Sequence, residues 1–319
     1  MPRRVGAQTL MLQIQPSILA GAAVAGKKEG EGPLGRSFDY ICQDAYFGES
    51  SWEKAESAML RRAFELACDK AGAAPSELDF ILSGDLLNQC AGSAYALRDL
   101  SPPYFGLYGA CSTMAESLLL GSLLLDGGCG KRVAALTSSH FCSAERQFRF
   151  PLEYGSVRTP TSQWTVTGAG ALILADKGPG PYVTCVTPGR IVDAGITDSN
   201  NMGAAMAPAA CDTLAAHFSD TGRAPSYYDA VITGDLGPAY TDCGVLIYDA
   251  AAQDAKAGGS GCGCSASVLA GHILRCLREG VWKRVLFAAT GALMSPTTTL
   301  QGESIPGICH ALALENVRC

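Results

Sequence analysis

The sequence predicts an α/β protein of two duplicated halves, with mainly parallel sheets covered on both faces by helices. Two observations carry that prediction. Short apolar runs alternate along the 319 residues with longer stretches of good helix formers. The chain also repeats itself in order. Ser76-Glu-Leu-Asp-Phe-Ile-Leu-Ser-Gly-Asp-Leu86 returns as Ser226-Tyr-Tyr-Asp-Ala-Val-Ile-Thr-Gly-Asp-Leu236, and Lys131-Arg-Val-Ala-Ala-Leu-Thr137 as Lys283-Arg-Val-Leu-Phe-Ala-Ala-Thr290. Ala110-Cys-Ser112 returns as Gly263-Cys-Ser265. The offsets between these matches are 150, 152 and 153 positions, near enough to constant to imply a duplication. The halves are assigned as residues 1–178 and 179–319.

Each half reads as helix, strand, glycine turn, helix, strand. Thr9 to Ile14 partly alternates and is taken as the first strand, followed by a Gly/Ala-rich loop over Ala20 to Ala25. Ser51 caps a helix carrying Ala55, Met59, Ala63 and Ala67, which Gly72 ends. Leu78 to Leu82 is a short strand, Pro103 to Leu107 a buried one, Ser112 to Asp126 a helix, and Arg132 to Leu136 a buried strand. In the second half Ala209 to Phe218 is a helix, Ala230 to Thr233 a strand, Cys264 to Leu277 a helix and Arg284 to Ala289 a strand. Ala169 to Ala175 and Ile308 to Leu314 supply strands that close each half.

Composition narrows the function. A net charge of −6 and pI near 5.3 argue against a nucleic acid partner, which needs a basic stripe. Fourteen cysteines in a chain of this length do not form the framework of a small secreted domain and read as reduced thiols. Cys262-Gly-Cys264 lacks the spacing of a zinc knuckle, so no metal centre is expected. Gln13, Gln15 and Pro16 interrupt the apolar N-terminus, which therefore reads as a strand, not a signal peptide. No apolar run approaches the ~20 residues of a transmembrane helix, so any membrane association is expected to be peripheral.

One thiol stands apart by position. In Tyr108-Gly-Ala-Cys-Ser-Thr113 a cysteine sits where a strand turns into a helix, facing unpaired backbone N–H groups and the positive end of the helix dipole. That setting is expected to lower the pKa of Cys111, and it suits either a nucleophile or a carboxylate site. The plainer alternative is a buried structural thiol.

These turns, on a duplicated α/β unit, resemble the thiolase fold of thiolases and ketoacyl synthases. The likeness is closer to the stage V sporulation protein AD family. Gly84-Asp-Leu-Leu-Asn-Gln89, Phe105-Gly-Leu-Tyr-Gly-Ala-Cys-Ser-Thr113, Thr137-Ser-Ser-His140 and Ala144-Glu-Arg-Gln-Phe-Arg149 carry it. So do Gly195-Ile-Thr-Asp-Ser199, Met202-Gly-Ala-Ala-Met-Ala-Pro-Ala-Ala210 and Ala257-Gly-Gly-Ser-Gly-Cys-Gly-Cys-Ser265. It runs from about Thr9 to about Glu315. One stretch departs: Asp235-Leu-Gly-Pro238 reaches Thr241-Asp-Cys-Gly244 sooner than the family pattern implies, so a loop, or a loop and a helix, is shortened or missing there.

The resemblance implies a soluble component of the apparatus that takes up dipicolinate (pyridine-2,6-dicarboxylate), often with calcium, during sporulation and releases it on germination. It implies membrane proteins of the same operon as partners, a homodimer, and a place on the cytosolic side of the forespore or spore inner membrane. No cofactor is implied beyond calcium travelling with the ligand. The catalytic set of a thiolase looks incomplete. Gly258-Gly-Ser-Gly-Cys-Gly-Cys264 contains no His-Pro, and Gly307 stands where a second catalytic Cys is expected, although Cys309 and His310 remain. Noncatalytic binding is therefore the first reading, Cys-dependent acyl transfer the second, and a docking scaffold the third.

A flat dianion calls for cationic forks or backbone N–H groups and an apolar or sulfur surface. Cys111 supplies one end. Arg146 and Arg149 supply another if their segment folds over the crevice, or else form surface ion pairs. Asn88 and Gln89 either hydrogen-bond ligand or cap local backbone, and His140 either faces the crevice or is a core histidine. Cys262, Cys264 and His310 complete the candidate binding set. His217 reads as a surface residue on an amphipathic helix. Asp85 and Asp235, being duplicated, read as braces for their two turns.

Overall fold

The computed structural model describes residues 1–148, 159–236 and 246–318. The first half runs β1 (Ser17–Gly26), α1 (Trp52–Ala71), β2 (Phe80–Gly84), α2 (Ala91–Leu97), β3 (Tyr104–Gly106), α3 (Thr113–Asp126), β4 (Arg132–Ser139), α4 (Phe141–Glu145) and β5 (Gly168–Ala175). The second runs β6 (Tyr182–Thr187), α5 (Met202–Thr221), β7 (Ala230–Thr233), α6 (Cys262–Ser267), a π-helical turn (Val268–Ile273), α7 (Leu274–Arg278), β8 (Arg284–Ala292) and β9 (Gly307–Glu315).

The sheet order is β7-β8-β9-β6-β1-β5-β4-β2-β3. Reading outward from the middle, β1-β5-β4-β2 and β6-β9-β8-β7 are the same succession in the same senses, so the repeat seen in the residues is a repeat in space. The sheet is mixed, which corrects the expectation of mainly parallel pairing. β2 lies parallel to β3 and β4, and β7 parallel to β8, but β5 and β9 run back antiparallel between their neighbours. The apolar runs that mark β5 and β9 carry no sign of direction, so composition alone does not separate the two pairings.

The first long helix forms as its residues dictate. Ser51 accepts the N–H of Lys54, Ala55, Met59, Ala63 and Ala67 are buried, and Gly72 closes the helix at φ +60°. The Ala20 to Ala25 stretch is not a loop but part of β1, the buried central strand. Its small residues are a packing requirement: a Cβ on Gly21 would stand 2.6 Å from Leu274 Cδ2 and 2.7 Å from Leu172 Cδ2. The segment Thr9 to Ile14 gives only a short strand, Thr9–Met11, paired with Arg3–Val5 and β6. β3, expected to be buried, is an exposed edge with Tyr104 and Phe105 open to solvent. The described cysteines are free thiols.

His217 is fully buried, contrary to the surface assignment. Its Nδ1 meets Thr187 Oγ1 at 2.8 Å and its Nε2 meets Tyr228 Oη at 2.7 Å, which satisfies both nitrogens inside the core. Burial first, then the nearby Arg223 guanidinium, lower its pKa to about 4. Tyr228 also accepts from Arg223, whose Nη1 lies 3.1 Å from Glu315 Oε1 at the end of β9. These groups tie α5 to the sheet.

Candidate functional site

The two cysteine turns meet face to face. Ala110–Ser112 forms a 3₁₀ turn ahead of α3, with Ala110 at φ +50°, a left-handed conformation that costs a non-glycine residue about 1–2 kcal/mol. Ser112 Oγ and Thr113 Oγ1 donate to the carbonyls of Gly109 and Ala110, both at 2.7 Å, and hold that turn in place. From the second half, Ser265 Oγ donates to the Cys111 carbonyl at 3.1 Å. β8 presses on the same turn at Gly291, where a Cβ would stand 2.1 Å from Gly109 O. Cys111 is thus fixed by contacts from both halves.

Beside it opens a cavity of about 260 Å³. Cys111, Asn88 and Gln89 line it. Gln89 and Cys90 take left-handed φ values of +59° and +53°, a second strained turn on the same wall. Tyr108, Gln147, Thr165, Ser260 and Ser295 add polar groups, while Phe148, Met202 and Met294 give an apolar and sulfur-bearing surface. Among the described residues no Lys, Arg or His lines the cavity.

Several expected site residues lie elsewhere. Arg146 is ion-paired with Glu53 and lies over the Trp52 ring at 5.9 Å, so it staples α4 to α1. Its neighbours Gln147 and Phe148 turn to the cavity instead, so the segment reaches the crevice through side chains other than the expected one. Arg149 falls outside the described residues. His140 is 1% exposed, with Nε2 2.8 Å from the Ala45 carbonyl and Nδ1 accepting the N–H of Cys142. It is the core histidine of the competing reading, and burial lowers its pKa. Cys262 is fully buried and donates to the Ser138 carbonyl at 2.9 Å. Cys264 faces a separate, smaller cavity of about 120 Å³ together with Asp235. His310, on β9, accepts the N–H of Gly189 at 3.1 Å, and burial lowers its pKa to about 4. It does not line the Cys111 cavity.

The residue that sequence reasoning misjudged most is Asp235. Asp85 does brace its turn, accepting the N–H groups of Leu87 at 2.8 Å and Ser93 at 2.6 Å, and the Ser93 hydroxyl at 2.6 Å. Asp235 occupies the repeated position at φ +65°, yet among the described residues neither carboxyl oxygen has a hydrogen-bond partner of normal geometry. The thiols of Cys111 and Cys264 and the N–H of Gly261 approach it instead. Burial pushes the Asp235 carboxyl well above the usual carboxylate range. Burial and then repulsion by Asp235 push the Cys111 thiol up as well, which reverses the expectation of an activated thiolate. The helix mouth is present, but desolvation outweighs it.

A second buried acid lies nearby. Glu56 is fully buried, accepts from Ser143 at 2.6 Å and Ser138 at 3.2 Å, and is raised to about 8 by burial and then by repulsion from Asp85. The crevice is therefore backed by carboxyls whose pKa burial raises, with Cys262 also raised by burial and then by repulsion from Cys111.

The family model for stage V sporulation protein AD matches residues 6–239 and 236–315. The chain belongs to that family. Stage V sporulation protein AD of Bacillus subtilis (strain 168) is 42% identical over 329 residues, covering 97% of each chain. Among solved structures, a variant of OleA from Xanthomonas campestris superposes with a TM-score of 0.60 at 15% identity, covering 96% of this chain and 99% of that one. The 3-oxoacyl-[acyl-carrier-protein] synthase III of Aquifex aeolicus superposes at 0.56 with 14% identity, covering 94% and 99%. The synthase III of Xanthomonas oryzae superposes at 0.60 with 16% identity, covering 95% and 99%. The chain thus has the thiolase-like fold, and the two pieces of the family model meet at residues 236–239, within the stretch that departs from the family pattern. No helix among the described residues is long and apolar enough to cross a membrane.

Proposed function

We propose that this member of the sporulation family is a noncatalytic receptor for dipicolinate, serving its uptake during sporulation and its release on germination. One observation carries the reading: Cys111 opens on a cavity of ligand size, yet the group behind its sulfur is the Asp235 carboxyl, raised by burial well above the usual carboxylate range, and not an imidazole. A thiol whose pKa is raised, beside a carboxyl whose pKa is raised too, is a poor nucleophile but a serviceable polarisable wall. Phe148, Met202 and Met294 suit an aromatic ring, and the Asn88, Gln89 and Gln147 amides suit carboxylate oxygens. Those neutral donors ask less of a calcium chelate than of the bare dianion, so we propose that calcium accompanies the ligand. The exposed edge of β3 supports a homodimer, since a second copy can extend the sheet there. Membrane proteins of the same operon are the further partners, met from the cytosolic side of the spore inner membrane.

The second reading, Cys-dependent acyl transfer, draws on the fold shared with the synthases and on the position of Cys111 at a helix mouth. A calorimetric titration with dipicolinate, with and without calcium, separates the two. Saturable heat is expected, with Cys111→Ser within about threefold of the native chain and Cys111→Phe at least about thirtyfold weaker because its ring fills the cavity. Absence of heat under both conditions would remove the receptor reading.

A further inference from the structure

A recess of about 340 Å³ lies where the two halves pack, and it shares no residue with the Cys111 cavity. Its floor is built by close approaches. A Cβ on Gly271 would stand 2.7 Å from the Ser37 carbonyl, and Gly21 lies under Leu274. Its rim carries Arg36, Lys70, Arg275 and Arg278 against two carboxylates, Asp39 and Glu279, an excess of cations in a chain of net charge −6.

The pairing is uneven. Lys70 meets Asp39 at 2.6 Å, and Arg275 meets Glu279 at 3.7 Å. Arg36 and Arg278 have no carboxylate among the described residues. Arg278 spends one nitrogen on backbone: Nη2 donates to the carbonyls of Leu19 at 2.7 Å and Ile18 at 3.2 Å, which fixes the guanidinium plane. Desolvation without a counter-charge lowers its pKa. Arg275 Nη1 reaches the Arg36 carbonyl at 3.4 Å, so α7 and the Arg36 turn are joined across the recess.

We propose that this recess binds a phosphate group, from a soluble phosphate ester or from a phospholipid headgroup. Two guanidinium forks lacking carboxylates, one of them anchored, and an ammonium nearby match an oxyanion that offers three acceptor oxygens. A planar carboxylate leaves one of those donors unused. Occupancy would relieve the repulsion among cations that the two acids leave uncompensated.

The test uses the full chain at low salt: calorimetry with inorganic pyrophosphate, and co-sedimentation with vesicles of phosphatidylglycerol and phosphatidylcholine against phosphatidylcholine alone. Arg36→Glu is the first variant, because that side chain is exposed and among the described residues has no partner whose loss would unfold the chain. At least about tenfold weaker binding is expected, with dipicolinate affinity unchanged within about twofold, which separates this site from the Cys111 cavity. Arg278→Gln is expected to show the same loss. Binding to pyrophosphate alone assigns a soluble ester, and binding to anionic vesicles alone assigns a headgroup. If neither probe binds, or if both variants bind as the native chain does, the proposal is wrong.

Discussion

Glu56→Gln is expected to make the protein more stable above pH 8 while costing up to about 1 kcal/mol near pH 5. Glu56 is fully buried between Ser138, Ser143 and the Asp85 carboxyl, and its folded-state pKa is about 8 against 4.5 in the unfolded chain. A raised acid binds a proton in the fold that the unfolded chain has already released. Its stabilising contribution is therefore complete below pH 4.5, declines through neutrality and is lost above about pH 8. The span corresponds to roughly 5 kcal/mol at most. A glutamine carries no such proton, so the variant's stability should be flatter with pH across that window. Below pH 4.5 the variant loses only hydrogen-bond quality toward the two serines. Urea unfolding from pH 5 to pH 9 checks it, and parallel curves for the two proteins would show that Glu56 is ionised in the fold.

Arg223→Ala is expected to cost about 3 kcal/mol at pH 7. Glu315 is 1% exposed and accepts from Arg223, Thr184 and Tyr227. Arg223 also lies 4.4 Å from the Tyr227 ring and donates to Tyr228, the partner of His217. Removing the guanidinium leaves a buried carboxylate with Arg284 Nε, on the exposed side, at 3.7 Å. Replacing both Arg223 and Glu315 with apolar residues should recover most of the loss, because no charge is then stranded. Chemical denaturation of the single and double variants measures both effects, and an unchanged midpoint for the single variant would show the pair to be energetically idle.

What was legible in the residues depended on whether local chemistry and tertiary demand agreed. Ser51, the buried face of α1 and Gly72 speak for a helix at every level, and the helix is where they place it. Asn88, Gln89 and Cys111 share one cavity at the strand ends, yet turn position alone does not decide this, because Cys264 at the repeated turn faces another. Ala20 to Ala25 misled because small residues serve loops and crowded strands equally, and only the helix packed over Gly21 distinguishes the two. His217 was misread for a similar reason: nothing local shows that Thr187 and Tyr228 satisfy both its nitrogens. Arg146 turns toward Glu53 while the next two side chains, Gln147 and Phe148, turn toward the cavity. Asp235 was the hardest case. The same Gly-Asp-Leu serves two turns, and only contacts with a cysteine from each half turn one copy from a brace into the buried backing of a thiol.

The central claim is that Cys111 walls a receptor and does not attack a substrate. Incubating the native chain with an acyl-coenzyme A and measuring its intact mass tests this most directly. The account predicts an unmodified mass at pH 7, whereas a stable acyl adduct that maps to Cys111 and disappears in Cys111→Ser would contradict it.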